Sequence, residues 1–301
     1  FQALGYQANG FTPEYLWVGD KIVEWDKDTH QIVWEWDVFE HYNMIDFDYY
    51  GDTWWQGFYD GFYDWTHVNA IAYSEEENAI YLSCRHLSRI TKIDYSTGEI
   101  IWNMGLEMQS GDVDCGQNLD FSFQHSITVL ENGNIVTLDN GNLSTFINDT
   151  PYATTRALEI NPNNCNNPTF EFEYELPSNL FGFASGNVQK LENGNYLATT
   201  VGGGGTSIEI SPNGEVVWEG KYNLSLPNGA VYRANRVSSL YPVAYSIIVP
   251  DMYLDNSNIT LDYIPSNYFD ILLFNNGSNN EKFCISEINE CYNINTNESE
   301  I

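Results

Sequence analysis

Basic residues are the scarcest chemistry in this chain: 11 Lys and Arg stand against 42 Asp and Glu, a net charge of -31 over 301 residues. Nucleic-acid phosphates demand a basic surface, so no nucleic acid is expected as a partner, and an anionic membrane face is disfavoured for the same reason. The acidity itself reads as a solubility device, suited to a salty medium. No apolar run reaches the ~18 to 20 residues of a spanning helix, so no membrane insertion is expected. None of the five cysteines (Cys84, Cys115, Cys165, Cys284, Cys291) forms a C-x-x-C pair, which argues against a zinc site, and no metal ligand is assigned. Helical periodicity persists nowhere. The chain opens on Phe1 with no basic-then-apolar leader, so a processed or truncated chain is expected.

Aromatic residues, in contrast, are abundant. Nine Trp, 21 Tyr and 16 Phe suit pleated, half-buried surfaces, and 43% hydrophobic content supports a sizeable core. Cys115 with Cys165, and Cys284 with Cys291, are candidate disulfides that leave Cys84 free. Such pairing fits an oxidising compartment, and six N-x-[ST] sequons agree, so a secreted, extracellular or periplasmic location is expected.

Internal repetition organises the chain. Lys21 to Trp36, Ile90 to Trp102 and Ser207 to Trp218 each read as a β-rich run, a polar turn, and a second run ending in an aromatic; Arg156 to Glu175 is a degenerate copy. A preceding half-unit recurs as His67 to Ser83, Ser126 to Leu138 and Asn187 to Thr199. In two of these, Asn132-Gly133 and Asn193-Gly194 predict two-residue hairpin turns. Joined, the halves give four antiparallel strands per unit, the pattern of propeller blades. The expectation is an all-β chain: a single β-propeller, six-bladed for preference, over residues 1–288. Residues 41–64 are a long inserted loop and 289–301 a mobile tail. Strand-like runs continue from Val231 to Ser238 and through Ile288 with a blurred repeat.

In an antiparallel pair, the start of the first strand lies beside the end of the second. Counting outward from Glu76 places His67 opposite Arg85; counting from Asn132-Gly133 places His125 opposite Asn140. If these strands are innermost, both imidazoles open onto one end of the axis, with the Arg85 cation beside them and Asn69 two residues beyond His67 on the same face. Arg233 and Arg236, near inner-strand ends, join Asn140 as candidate substrate-binding residues. His30, His41 and His86 are read as packing residues, with His86 able to support Arg85.

The segments Asp64-Trp-Thr-His-Val-Asn69, Ser83-Cys-Arg-His-Leu-Ser88 and Gln124-His-Ser-Ile-Thr-Val-Leu-Glu-Asn-Gly-Asn134, occurring in this order, resemble the arylsulfotransferases, a family of six-bladed propellers. The resemblance covers roughly residues 15 to 250. It implies transfer of a sulfuryl group from a phenolic sulfate to a phenol with no cofactor. His125 matches the transiently sulfated histidine, and His67, Asn69 and Arg85 match the sulfate-binding and acid–base positions. Imidazole is a competent nucleophile, and pre-placed donors meet the charge on the transferring group. The family carries a further catalytic histidine before the His-x-Asn motif. Only His30 and His41 precede it here and neither matches, leaving two readings: a blade upstream of Phe1, or an incomplete site.

Two other classes compete. A non-catalytic extracellular propeller for adhesion or self-assembly would use the aromatic 41–64 loop against a partner. A calcium-dependent lactonase-like propeller would need carboxylates at the axis, where His67, His125 and Ser185 stand instead. Asp112, Asp114 and Asp120 remain the candidate ligands for a structural Ca2+ in a loop.

Overall fold

Strand pairing in the computed structural model follows the repeats. The structure describes residues 16–51, 53–224 and 229–237, and the backbone of six strands between 246 and 295. In chain order the first elements are β1 (Leu16–Val18), β2 (Lys21–Asp26), β3 (Gln31–Asp37), α1 (Val38–His41), α2 (Thr53–Asp60) and β4 (Phe62–Asp64). Three four-stranded units follow. They are β5 (Val68–Ser74), β6 (Ala79–Cys84), β7 (Arg89–Asp94), β8 (Ile100–Gly105); β9 (His125–Val129), β10 (Ile135–Asp139), β11 (Arg156–Asn161), β12 (Thr169–Glu175), with α3 (Ser144–Ile147) between β10 and β11; and β13 (Asn187–Lys190), β14 (Tyr196–Thr200), β15 (Thr206–Ile210), β16 (Val216–Lys221).

Each unit is an antiparallel meander with its strands in sequence order, the blade of a β-propeller. The first strands of the three blades are neighbours, β5 beside β9 and β9 beside β13. Apolar layers fill the spaces between sheets. Tyr81, Ile90, Trp102, Ile127, Ile135 and Leu158 form one layer; Val136, Leu138, Phe172, Val188, Tyr196 and Ile208 form the next. Middle strands β6, β10, β14 and β15 are buried at every position because a sheet covers both faces, whereas β16 is exposed at nearly every position. Before the first blade, β2 and β3 form a lone hairpin, and β1 pairs in parallel with β4. Trp36, Tyr42, Tyr63 and Trp65 pack there against Ile80 and Leu82 of β6.

Several expectations change. The segment at 41–64 carries the eight-residue helix α2 and strand β4, so it is not purely loop. The Asn-Gly turns are three-residue loops. Leu130 N–H donates to Asn134 O at 2.8 Å and Leu191 N–H to Asn195 O at 2.8 Å, enclosing Glu131–Gly133 and Glu192–Gly194. Only the glycines, Gly133 (φ 80°) and Gly194 (φ 84°), take the left-handed conformation, as this loop type requires. The extra loop residue shifts the register by one position and a bulge in β9 by one more, so His125 faces Leu138 and not Asn140. Val231 to Val237 forms no strand. It lies along β13, held by the Asn187 and Gln189 amides.

The chain divides into two compact units, 1–236 and 237–301, where one body to 288 is expected. The second unit holds β17 (Ser246–Val249), β18 (Tyr253–Asp255), β19 (Asn258–Thr260), β20 (Phe269–Phe274), β21 (Asn280–Ile285) and β22 (Glu290–Asn295). Its sheet runs β17-β20-β21-β22, with β18-β19 a separate hairpin. Strand β22 occupies part of the segment expected to be a mobile tail. Among the cysteines, Cys115 and Cys165 are disulfide-bonded and Cys84 is free and buried; Cys284 and Cys291 hold facing register positions on β21 and β22, their side chains lying outside the described residues.

Candidate functional site

Two irregularities at the start of first strands build the site. In β5 the pairing passes from Val68↔Cys84 to Ala70↔Ser83, leaving Asn69 as an extra, bulged residue. In β9 it passes from Thr128↔Val136 to His125↔Leu138, so Ser126 and Ile127 together oppose Thr137. Bulges bend a strand and re-aim its side chains, and they concentrate beside functional sites. Left-handed backbone accompanies them at His67 (φ 48°) and Ser126 (φ 68°), a conformation that costs a non-glycine residue on the order of 1 kcal/mol. The turn before β5 is pinned from β2's side: Asp20 Oδ2 accepts from Thr66 Oγ1 at 2.5 Å and from Val68 N–H at 2.8 Å.

The result is a cavity of about 580 Å³ lined by His67, His86, His125, Arg85, Asn69 and Asp64, with Phe183–Ser185, Tyr232 and α2 completing the wall. All three imidazoles are anchored the same way. His125 Nδ1 lies 2.7 Å from Gly186 O, His86 Nδ1 lies 2.6 Å from Asp64 O, and His67 Nδ1 meets the Asp64 carboxylate. A carbonyl oxygen only accepts, so Nδ1 carries the proton in His125 and His86, and the carboxylate favours the same tautomer in His67. The lone pair is then at Nε2 in His125 and His86. Gly186 is required where it stands: its φ is 90°, and a Cβ would meet Thr199 O at 2.4 Å.

Burial, reinforced by the nearby Arg233 and Arg85 charges and outweighing the Gly186 hydrogen bond, pushes His125 down to about 4. Burial likewise takes His86 down to about 4. Both rings are therefore neutral at pH 7. Asp64 goes the other way for a carboxyl: burial pushes it up, but the hydrogen bond and charge of His67 carry it below the usual value, so it is ionised.

Arg85 is the site's cation. Its guanidinium lies 4.6 Å from the Phe123 ring and donates to Phe183 O at 2.9 Å, while Nε has no partner. Burial lowers it to about 10, which leaves it charged at neutral pH. Among the described residues no carboxylate lies within salt-bridge reach of it. Asn69 Nδ2 donates to Gln124 O at 2.8 Å, and its Oδ1 is buried without a partner.

Of the predicted residues, the structure brings His67, Asn69, Arg85 and His125 to one cavity. Arg233 stands at its margin, donating to Asn69 O at 2.9 Å and lying over Tyr232, whose ring meets His125 edge-on at 5.0 Å. Asn140 does not line the cavity; it donates to Gly182 O and Ser185 O and so holds the loop that does. Arg236 is committed elsewhere, paired with Glu209 and stacked over Trp218. His41 and His30 stack on Trp36 and Trp25, away from the cavity. Sequence reasoning missed the cavity roles of His86 and Asp64, although Asp64-x-x-His67 was a usable signal. Asp112, Asp114 and Asp120 do not converge; among the described residues the group close enough to hold a metal is Asp64, His67 and His86.

The family model described as Arylsulfotransferase (ASST) matches residues 6–223. No curated protein matches the chain. Similar solved structures include a protein of unknown function from Bacteroides caccae (17% identity, TM-score 0.42, covering 93% of this chain and 71% of that one). The Cps50 (Swd1) β-propeller domain of Myceliophteria thermophila shows 9% identity and a TM-score of 0.37, over 93% and 81%. BamB from Moraxella catarrhalis shows 10% identity and a TM-score of 0.34; the match covers 87% of this chain and little more than half, 55%, of that one.

Proposed function

Because the chain belongs to the arylsulfotransferase family, we propose that it moves a sulfuryl group between phenols, with His125 as the transient carrier. The lone pair of His125 Nε2 attacks the sulfur of the phenolic sulfate. The bond from sulfur to the aryl oxygen breaks, its electron pair leaves with that oxygen, and His67, entering as the imidazolium whose Nδ1–H the Asp64 carboxylate holds, gives up its Nε2 proton to make the free phenol. In the second half the acceptor phenol's oxygen attacks sulfur, the N–S bond breaks, and His67 takes the acceptor's proton. Donor sulfate and acceptor phenol thus become donor phenol and acceptor sulfate, with no nucleotide donor in the scheme.

The observation that carries this reading is the common anchoring of the imidazoles. His125 is neutral, with Nδ1–H tied to Gly186 O and Nε2 free, the form a nucleophile needs. His67, oriented by Asp64, is more exposed and suited to exchange protons. Arg85 and Arg233 supply positive charge for the three sulfuryl oxygens. The adhesion reading loses ground because α2 of the aromatic segment forms part of the cavity wall. The Cys115–Cys165 disulfide supports an oxidising compartment as the place of work.

Purified protein with 4-nitrophenyl sulfate and phenol tests the reading. Nitrophenol release is expected, and His125→Ala should lower it at least roughly a thousandfold. Equal rates for wild type and His125→Ala, or no release at all, would refute it.

A further inference from the structure

The cavity offers a second chemistry that does not depend on sulfuryl transfer. From their convergence we infer that Asp64, His67 and His86 form a site for a divalent transition metal of the zinc type. One ligand atom from each residue lies within 4.8 Å of the others. Tetrahedral zinc with bonds of about 2.0–2.1 Å spaces its ligand atoms by about 3.3 Å, so side-chain adjustments on the order of 1 Å close the site. The His67 and His86 rings already lie face to face, with centroids 4.5 Å apart and planes 29° apart. Two histidines and one carboxylate leave further coordination positions open to the cavity.

The left-handed backbone at His67 is the strain expected where a side chain is held for a purpose. The surroundings also select the class of ion. Arg85 lines the same cavity and repels cations, so attraction by charge alone is opposed there. Coordinate bonds to imidazole nitrogen must supply the affinity, which favours zinc-like ions over Ca2+. The cysteine pattern gave no hint of this, because the ligands are a carboxylate and a histidine in one turn and a histidine from the next. A metal seated here would occupy the His67 ring that the proposed transfer uses, so binding and transfer would exclude each other.

The test is titration of the chelator-stripped full chain with Zn2+ by calorimetry, with Co2+ absorption as a direct readout of coordination. One equivalent of Zn2+ should bind, and Co2+ should give a spectrum that Zn2+ abolishes and Ca2+ does not. His67→Ala and Asp64→Asn should each lower the affinity roughly tenfold or more, while His41→Ala leaves it unchanged. The exposed position of His67 makes its removal compatible with folding, and the wild-type Co2+ spectrum needs no variant. No stoichiometric binding, displacement of Co2+ by Ca2+, or unchanged affinity in His67→Ala overturns the inference. Because binding is read directly, its failure is distinct from a failure of transferase activity.

Discussion

Replacing Arg85 with methionine should separate stability from function. The guanidinium is held in a site that lowers it from its ordinary value to about 10, mainly by burial. At ~1.4 kcal/mol per pKa unit, keeping that charge in place costs the fold on the order of 3 kcal/mol. Against this stand the hydrogen bond to Phe183 O and the contact with Phe123, each worth about 1 kcal/mol. Methionine loses the hydrogen bond but keeps a sulfur–aromatic contact with Phe123, and the exposed Phe183 segment leaves its carbonyl within reach of water. The balance is a gain of about 1 to 2 kcal/mol, or an upward Tm shift of a few degrees. Turnover of 4-nitrophenyl sulfate should fall about a hundred- to a thousandfold, the usual effect of removing one pre-placed charge donor. Thermal melts and initial rates on the same preparation decide it. If Arg85→Met lowers stability by more than about 2 kcal/mol, Arg85 is a structural residue and the reasoning fails.

Three further outcomes follow from the same structure. His86 and His125 stay neutral in the fold down to about pH 4, while the unfolded chain protonates them near 6.5. The unfolded state therefore binds more protons between those values, and stability should fall as pH drops through the window, by at most about 3 kcal/mol per ring. Urea midpoints should show it, with a shallower slope in His125→Gln; identical slopes would contradict it. The Cys115–Cys165 bond spans 50 residues, so reducing it should cost about 4 kcal/mol, read as a lower urea midpoint in reductant. Asp46→Ala strands the fully buried Arg89, whose partner at 2.6 Å is the Asp46 carboxylate; a loss of about 3 to 5 kcal/mol is expected, largely recovered in the double variant with Arg89→Met.

The blades were legible because alternation and turn chemistry repeat, and each hairpin forms from contacts close in sequence. Register was less so. An Asn-Gly pair marks a turn, but whether two or three residues loop out depends on the strands it joins, and that difference together with the β9 bulge moved His125 from Asn140 to Leu138. The bulges at Asn69 and Ser126 left no trace in the alternation, yet they accompany the turn of His67 and His125 into the cavity. His86, read from the sequence as a packing residue able to support Arg85, lines the cavity itself. A turn after β6 brings both into the same cavity. Arg236 looked available because arginine is scarce here, but Glu209, from β15, takes it up.

His125 belongs to the second blade, and the carbonyl that fixes its tautomer comes from Gly186, at the entrance to the third. No hairpin joins these sheets; beyond the connecting segment 176–186, apolar side chains and a few polar tethers hold them side by side. A slight parting of the two would free the ring to rotate while every ladder hydrogen bond survived. Heat inactivation should then precede any loss of far-ultraviolet dichroism, and an isolated blade, however well it folds, would carry the carrier residue without its reactivity.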